Sequence, residues 1–144
     1  MKTAYVKDWM SSPAITIASK GSLAAAHKLM TEKGIRRLPV VEAGKLVGIV
    51  TLTDVLEAEP SDATSLNIFE LNYLLDTLTV DKIMTREVIS AAPNEALQSV
   101  AQEMLMHKIG GLPVMEDGEL VGVITESDIF RAFVELIEMP ALAA

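Results

Sequence analysis

Residues 44–54 read Gly-Lys-Leu-Val-Gly-Ile-Val-Thr-Leu-Thr-Asp, and residues 118–128 repeat the phrase as Gly-Glu-Leu-Val-Gly-Val-Ile-Thr-Glu-Ser-Asp. A glycine turn, an apolar run of strand length and a hydroxyl three residues before a carboxylate spell turn, buried strand and helix start. Working outward, Met10 pairs with Met84, Leu23 with Leu97, Pro39 with Pro113, Gly48 with Gly122 and Asp54 with Asp128, always at an offset of 74. No gap is needed from Val6/Val80 to Leu56/Phe130, and about a third of the paired positions are identical. The chain is a tandem repeat. Two copies are too few for a solenoid, so each is expected to bury its apolar face against its twin.

Each copy reads alike. Residues 14–17 and 88–91 are short strand candidates. A helix is expected over residues 22–33, with Leu23, Ala26, Leu29 and Met30 at helical spacing. Its twin follows Pro93-Asn94, with Asn94 as expected N-cap and Leu97, Val100, Ala101 and Met104 on one face. Residues 38–41 and 45–50 flank Glu42-Ala43-Gly44 as a hairpin, matched around Glu116-Asp117-Gly118, and a second helix follows Thr51 or Thr125. The unit is β-α-β-β-α, an α/β chain of the α+β type, and strands this apolar are expected to be covered on both faces. The boundaries are 6–58 for the first repeat, 59–79 for a linker with a helix and 80–137 for the second repeat. In the linker, residues 59–65 form a polar break with proline. Residues 66–78 look helical, with Phe69, Leu74, Leu75 and Leu78 apolar. That helix reads mainly as a connector packed on the core, with a face for a second subunit as the alternative.

The 144 residues hold no cysteine, which excludes disulfides, thiolate metal sites and a cysteine nucleophile and fits a reducing cytoplasm. Residues 1–13 lack the apolar core of a signal peptide, and no segment reaches the roughly 18 apolar residues of a membrane span. The net charge of −8 argues against a nucleic-acid partner. All of that charge falls in residues 76–144, where four Lys/Arg face twelve Asp/Glu, so an anion finds the first half more hospitable.

Catalytic and metal chemistry has no constellation here. His27 and His107 lie far apart without partners at ligand spacing, and no GxSxG, P-loop or GxGxxG occurs. Glu57/Glu59 and Glu116/Asp117 read as solvated carboxylates, and the eight methionines, Met30, Met104, Met106 and Met115 among them, as core filler. No nucleophile, base and orienting group come together, so the chain reads as no enzyme.

Thr51-x-x-Asp54 and Thr125-x-x-Asp128 remain. Each is a complete capping box, and a cap stabilises a helix by about 1 kcal/mol. Yet the hydroxyl and the carboxylate recur where neighbours diverge, as at Leu52/Glu126 and Glu57/Arg131. A carboxylate there could accept from both hydroxyls of a ribose, a helix start attracts phosphate, and Gly48 and Gly122 would allow close approach of a backbone. The residues alone leave ligand site and pure cap open.

The doubled Leu-Pro-Val-Val, turn, Leu-Val-Gly-Ile-Val-Thr-x-Thr-Asp pattern resembles the CBS domain, named for cystathionine β-synthase, across residues 6–58 and 80–133. The pair resembles a Bateman module, a regulatory sensor of adenosyl ligands, with pseudo-two-fold packing, and is similar to stand-alone CBS pairs of the acetoin-utilisation type. The resemblance implies two clefts between the repeats. Thr51 and Asp54 with Arg36 and Arg37 would serve one; Thr125 and Asp128 with Gly110 and Gly111 would serve the other. Val88 and Ile89 would wall the first, Ala14 and Ile15 the second. It implies AMP, ADP, ATP or S-adenosylmethionine as ligand with no required cofactor, a cytoplasmic homodimer, and a regulated protein that the sequence does not name. The glycine pair departs from a basic pattern and weakens phosphate binding at the second cleft. A non-binding dimerisation scaffold is the alternative.

Overall fold

The computed structural model describes residues 2–59 and 67–137. Most of the polar break at residues 59–65, and Leu66, lie outside them. The described chain carries β1 (Ile17–Ala18), α1 (Leu23–Lys33), β2 (Arg37–Glu42), β3 (Lys45–Thr51), α2 (Leu52–Ala58), α3 (Ile68–Thr77), α4 (Leu97–His107), β4 (Gly111–Glu116), β5 (Glu119–Thr125) and α5 (Glu126–Leu136). One compact unit is Ile15–Val88; the other gathers the described residues of 1–14 and 89–144.

The compact unit is therefore not the sequence repeat. Each copy lends its leading segment to the hairpin of the other. Thr85 exchanges two backbone bonds with Ile49 of β3, at 3.0 and 2.9 Å, and Ser11 exchanges two with Val123 of β5, at 2.9 and 3.0 Å. The glycines of the two hairpins make this possible. A Cβ on Gly48 would meet Met84 and the Thr85 carbonyl, and one on Gly122 the Ser11 carbonyl and Met10. The close approach expected at these glycines is thus taken by the chain's own backbone.

In the Ile15–Val88 unit β1 pairs parallel with β2, and β2 antiparallel with β3. The other unit repeats the hairpin as β4 and β5. Both hairpins turn on two residues with positive φ, Ala43 and Gly44 in one, Asp117 and Gly118 in the other, while Glu42↔Lys45 and Glu116↔Glu119 still pair. The first strands are shorter than expected. Ser19 N–H bonds Val41 O at 2.9 Å and extends β1, but the corresponding residue in the second copy is Pro93. Proline has no N–H to give, and only an isolated bridge, Ala91↔Val114, remains there.

Helix starts follow the same accounting. Ser22 caps α1, accepting from Ala25 N–H at 3.0 Å. Asn94 does not cap α4: it sits in a turn, and the N-cap is Ala96, which has no side-chain acceptor. The turn places Pro93 and Asn94 where Lys7 N–H bonds Pro93 O at 2.9 Å, so the helix begins three residues after Asn94.

Each unit has one core. Val80 and Met84 join Leu23, Ala26, Met30, Leu38, Val40, Val50 and Val55 in one; Val6 and Trp9 join Leu97, Val100, Met104, Leu112, Val114 and Ile124 in the other. Full burial of such side chains contributes about 1.5–3 kcal/mol each, so the exchanged segments are structural members of the partner copy. Among the methionines, Met30 and Met104 are core, whereas Met106 is exposed. The connector helix α3 packs on α1, with Leu71, Leu74 and Leu75 half-buried and Phe69 and Tyr73 turned to solvent. No helix of the described residues is long and apolar enough to cross a membrane.

Candidate ligand-binding site

The antiparallel register sets Arg37 opposite Thr51, and Leu52 N–H bonds the Arg36 carbonyl at 2.8 Å. Hairpin geometry therefore brings Arg36 and Arg37 beside the start of α2. Thr51 N–H donates to Asp54 Oδ2 at 2.9 Å, and Asp54 N–H donates to Thr51 Oγ1 at 3.1 Å, a closed capping box. Asp54 is half-buried, and no described residue donates to its Oδ1. The helix start itself offers little to an anion: α2 has seven residues, and Leu52 and Asp54 N–H are already spent. The cations beside it are exposed Arg36 and half-buried Arg37.

The second copy has the same skeleton and different chemistry. Gly111 stands opposite Thr125, and Glu126 N–H bonds the Gly110 carbonyl at 3.0 Å. Thr125 donates to Asp128 Oδ2 twice, from N–H at 2.8 Å and from its hydroxyl at 3.2 Å. Asp128 Oδ1 takes Arg131 Nη2 at 2.6 Å. The carboxylate is buried, and Arg131 also donates to the Trp9 carbonyl at 3.3 Å.

Arg36, Arg37, Thr51 and Asp54 thus come together within one unit, and Gly111, Thr125 and Asp128 within the other. The four apolar wall candidates are divided. Val88 belongs with Asp54, whereas Ile89 packs on the core of the other unit; Ala14 belongs with Asp128, whereas Ile15 goes with Asp54. Arg131 and Trp9 were not singled out from the sequence as site residues. The signal was there: Asp128 and Arg131 are opposite charges at i,i+3 on one helix, where the first copy has Asp54 and Glu57. His27 and His107 each face one carboxylate, Glu59 at 3.8 Å and Glu103 at 3.2 Å. No group of three potential metal ligands occurs among the described residues.

The family model described as "CBS domain" matches residues 6–61 and 80–135. L-aspartate semialdehyde sulfurtransferase of Methanocaldococcus jannaschii is 38% identical over 130 residues, 89% of this chain but 23% of that protein. The first curated relatives are much longer than this chain, which spans between 21% and 46% of their length. Among solved structures, the CBS domain pair of protein MJ0100 in complex with 5-methylthioadenosine and S-adenosyl-L-methionine superposes with a TM-score of 0.78 at 35% identity, over 94% of this chain and all (100%) of that one. A Vibrio cholerae structure named for an acetoin utilization protein, AcuB, has a TM-score of 0.77 at 34% identity, covering 94% and 93%.

Proposed function

The chain belongs to the CBS-domain family, carrying the domain twice, and from this premise we propose that it is a regulatory module that binds an adenosyl ligand at Asp54 and passes ligand state to a partner protein. The observation that carries the reading is Asp54 Oδ1, to which no described residue donates. Its Oδ2 is held by Thr51 N–H, so the carboxylate is fixed in direction while one oxygen stays available to a ribose diol. Arg37, on the strand beside it, and Arg36, just before that strand, would meet the charged end of AMP, ADP or ATP, and a bidentate arginine suits phosphate. The MJ0100 pair, in complex with 5-methylthioadenosine and S-adenosyl-L-methionine, supports the ligand class. The module itself is read as non-catalytic, with chemistry left to other proteins.

Assembly is part of the proposal. Leu105, Phe130, Phe133 and Val134 on α4 and α5 are all exposed, more apolar helical surface than a solitary chain has reason to show. We read that surface as the seat of a second copy in a homodimer. Light scattering that gives about the 15.5 kDa of one chain at micromolar concentration would refute it.

A melting panel with AMP, ADP, ATP and S-adenosylmethionine tests the binding. A ligand at a hundredfold excess over its Kd stabilises by about 2.7 kcal/mol. The capping boxes favour a second reading, a scaffold in which Thr and Asp serve helices alone, and a scaffold shows no shift with any ligand. Arg37→Ala should reduce the shift with AMP, ADP and ATP more than with S-adenosylmethionine, which carries no phosphate.

A further inference from the structure

The two Thr–Asp pairs differ in the residue that stands three positions after the carboxylate. In α5, Arg131 Nη2 lies 2.6 Å from Asp128 Oδ1. The first copy has Glu57 at the corresponding position, which is exposed and brings no cation to the carboxylate. We propose that Arg131 closes the second pair: its guanidinium occupies the oxygen that a ribose diol would need, and turns Asp128 into an anchor for the amino-terminal segment.

The geometry around Arg131 makes this more than a surface ion pair. The Asp128 side chain is 7% exposed and that of Arg131 52%, so the guanidinium is the outer layer over a sunken carboxylate. With Thr125 N–H and hydroxyl on Oδ2 and Arg131 on Oδ1, both oxygens are engaged. A ligand would have to displace a charge-assisted bond of unusually short length before gaining its own. The same guanidinium is held in place from behind. It donates to the Trp9 carbonyl at 3.3 Å and lies 5.8 Å from the centroid of the Trp9 ring. Trp9 is itself buried, and its indole Nε1–H bonds the Thr3 carbonyl at 2.7 Å. Releasing Arg131 would therefore loosen the segment that brings Val6 and Trp9 into the core of that unit.

Removal of the pair also changes charge in a particular way. Without Arg131 the chain keeps a sunken carboxylate whose outward oxygen has lost its cation, a state that costs stability when empty and rewards a hydroxyl-bearing ligand. Asp54 is in that position already, half-buried and beside Glu57. The inference rests on the assignment of Asp54 to an adenosyl ligand, and adds that Arg131 sets the stoichiometry of the chain at one.

Two measurements on the full chain test it. The first needs no ligand: melting of Asp128→Asn, Arg131→Met and the double variant. The closed pair predicts that the double variant loses clearly less than the two single losses combined, whereas Asp54→Asn with Glu57→Gln, which breaks no attractive pair, shows no such saving. Additive losses at 128 and 131 overturn the proposal. The second is titration calorimetry with AMP and with S-adenosylmethionine. The wild type should take one ligand per chain; Arg131→Met should gain a second event, roughly tenfold or more weaker, which Asp128→Asn removes again. Unchanged stoichiometry in a folded Arg131→Met protein, shown by native circular dichroism, overturns the proposal. So does a wild type that binds two ligands and loses one with Asp128→Asn. A wild type that binds neither probe sinks the assignment of Asp54 instead, and the melting cycle then decides the role of Arg131 by itself.

Discussion

A Cβ placed on Gly122 would lie 2.6 Å from the carbonyl oxygen of Ser11. That oxygen cannot retreat cheaply, because Ser11 is tied to Val123 through both its N–H and its carbonyl. At Gly48 the nearest atom is the Met84 sulfur at 2.5 Å, the end of a flexible side chain, with the Thr85 carbonyl at 2.9 Å. Alanine should destabilise at both positions, by roughly 1–3 kcal/mol, with Gly122→Ala the worse of the two. Thermal melting of the two variants checks the order. Equal melting of Gly122→Ala and the wild type would mean that the amino-terminal segment is not held against β5.

The sequence carried the repeat, the hairpins and both helices of each copy, because apolar periodicity and glycine turns are local signals. It did not carry the exchange of leading segments. Val6 and Val80 are one offset apart and both buried, but nothing in a linear pattern says that Val6 lies in the core with Val100 and Val80 in the core with Leu23. The short first strand was half legible: Pro93 in the place of Ser19 announces a missing donor, yet which carbonyl goes unpaired depends on the fold. At the candidate site, register puts Arg37 opposite Thr51, two residues that the family resemblance had grouped together. The pairing of Asp128 with Arg131 was legible as opposite charges three positions apart, but its tie to Trp9 was not, since Arg131 reaches back over 122 positions of sequence.

The turn at Ala43 is strained where its twin is not. Ala43 has φ of 50° and Asp117 has 51°, both left-handed, and both are followed by glycine. Left-handed backbone costs an alanine roughly 1–2 kcal/mol, while a short polar side chain tolerates it. Asn-Gly is the favoured pair for such a two-residue turn. Ala43→Asn should therefore raise the melting temperature, and Asp117→Ala should lower it. Chemical denaturation of the two variants at one temperature measures both signs.

Acid should act through Asp81. Its carboxyl is held below the usual carboxylate range, first by the hydrogen bond from Lys20, at 2.7 Å, and then by the Thr79 hydroxyl. Lys20 is correspondingly raised above its ordinary value by the same bond. A depressed carboxyl contributes stability that is present above its unfolded pKa, about 4, and that disappears as pH falls through the lower folded value. A raised lysine contributes below about 10.5 and loses its share as pH rises beyond. Lys20 is 76% exposed, so salt should blunt both effects. Melting of Asp81→Asn should fall less between pH 5 and 3 than that of the wild type, by roughly the share this one group contributes. Parallel acid profiles of the two proteins would show that Asp81 gains nothing from Lys20.

Asp54 separates the ligand reading from the helix cap. Its Oδ2 accepts Thr51 N–H at 2.9 Å, and an asparagine carbonyl can accept the same bond in the same place. The Thr51 hydroxyl still receives the backbone N–H of residue 54 at 3.1 Å, whatever the side chain. Asp54→Asn should accordingly cost the empty protein less than about 1 kcal/mol, the typical worth of a cap. The amide offers only one acceptor and no charge, so it cannot bridge a diol as the carboxylate would. Charge-assisted bonds contribute roughly 1.5–3 kcal/mol, and their loss lowers affinity by about tenfold or more. Calorimetry with the nucleotide that gives the largest melting shift, on wild type and Asp54→Asn alike, reads the two effects together. A collapse of stability with affinity unchanged in the surviving fold would assign Asp54 to its helix, and the scaffold reading would then account for both Thr–Asp pairs.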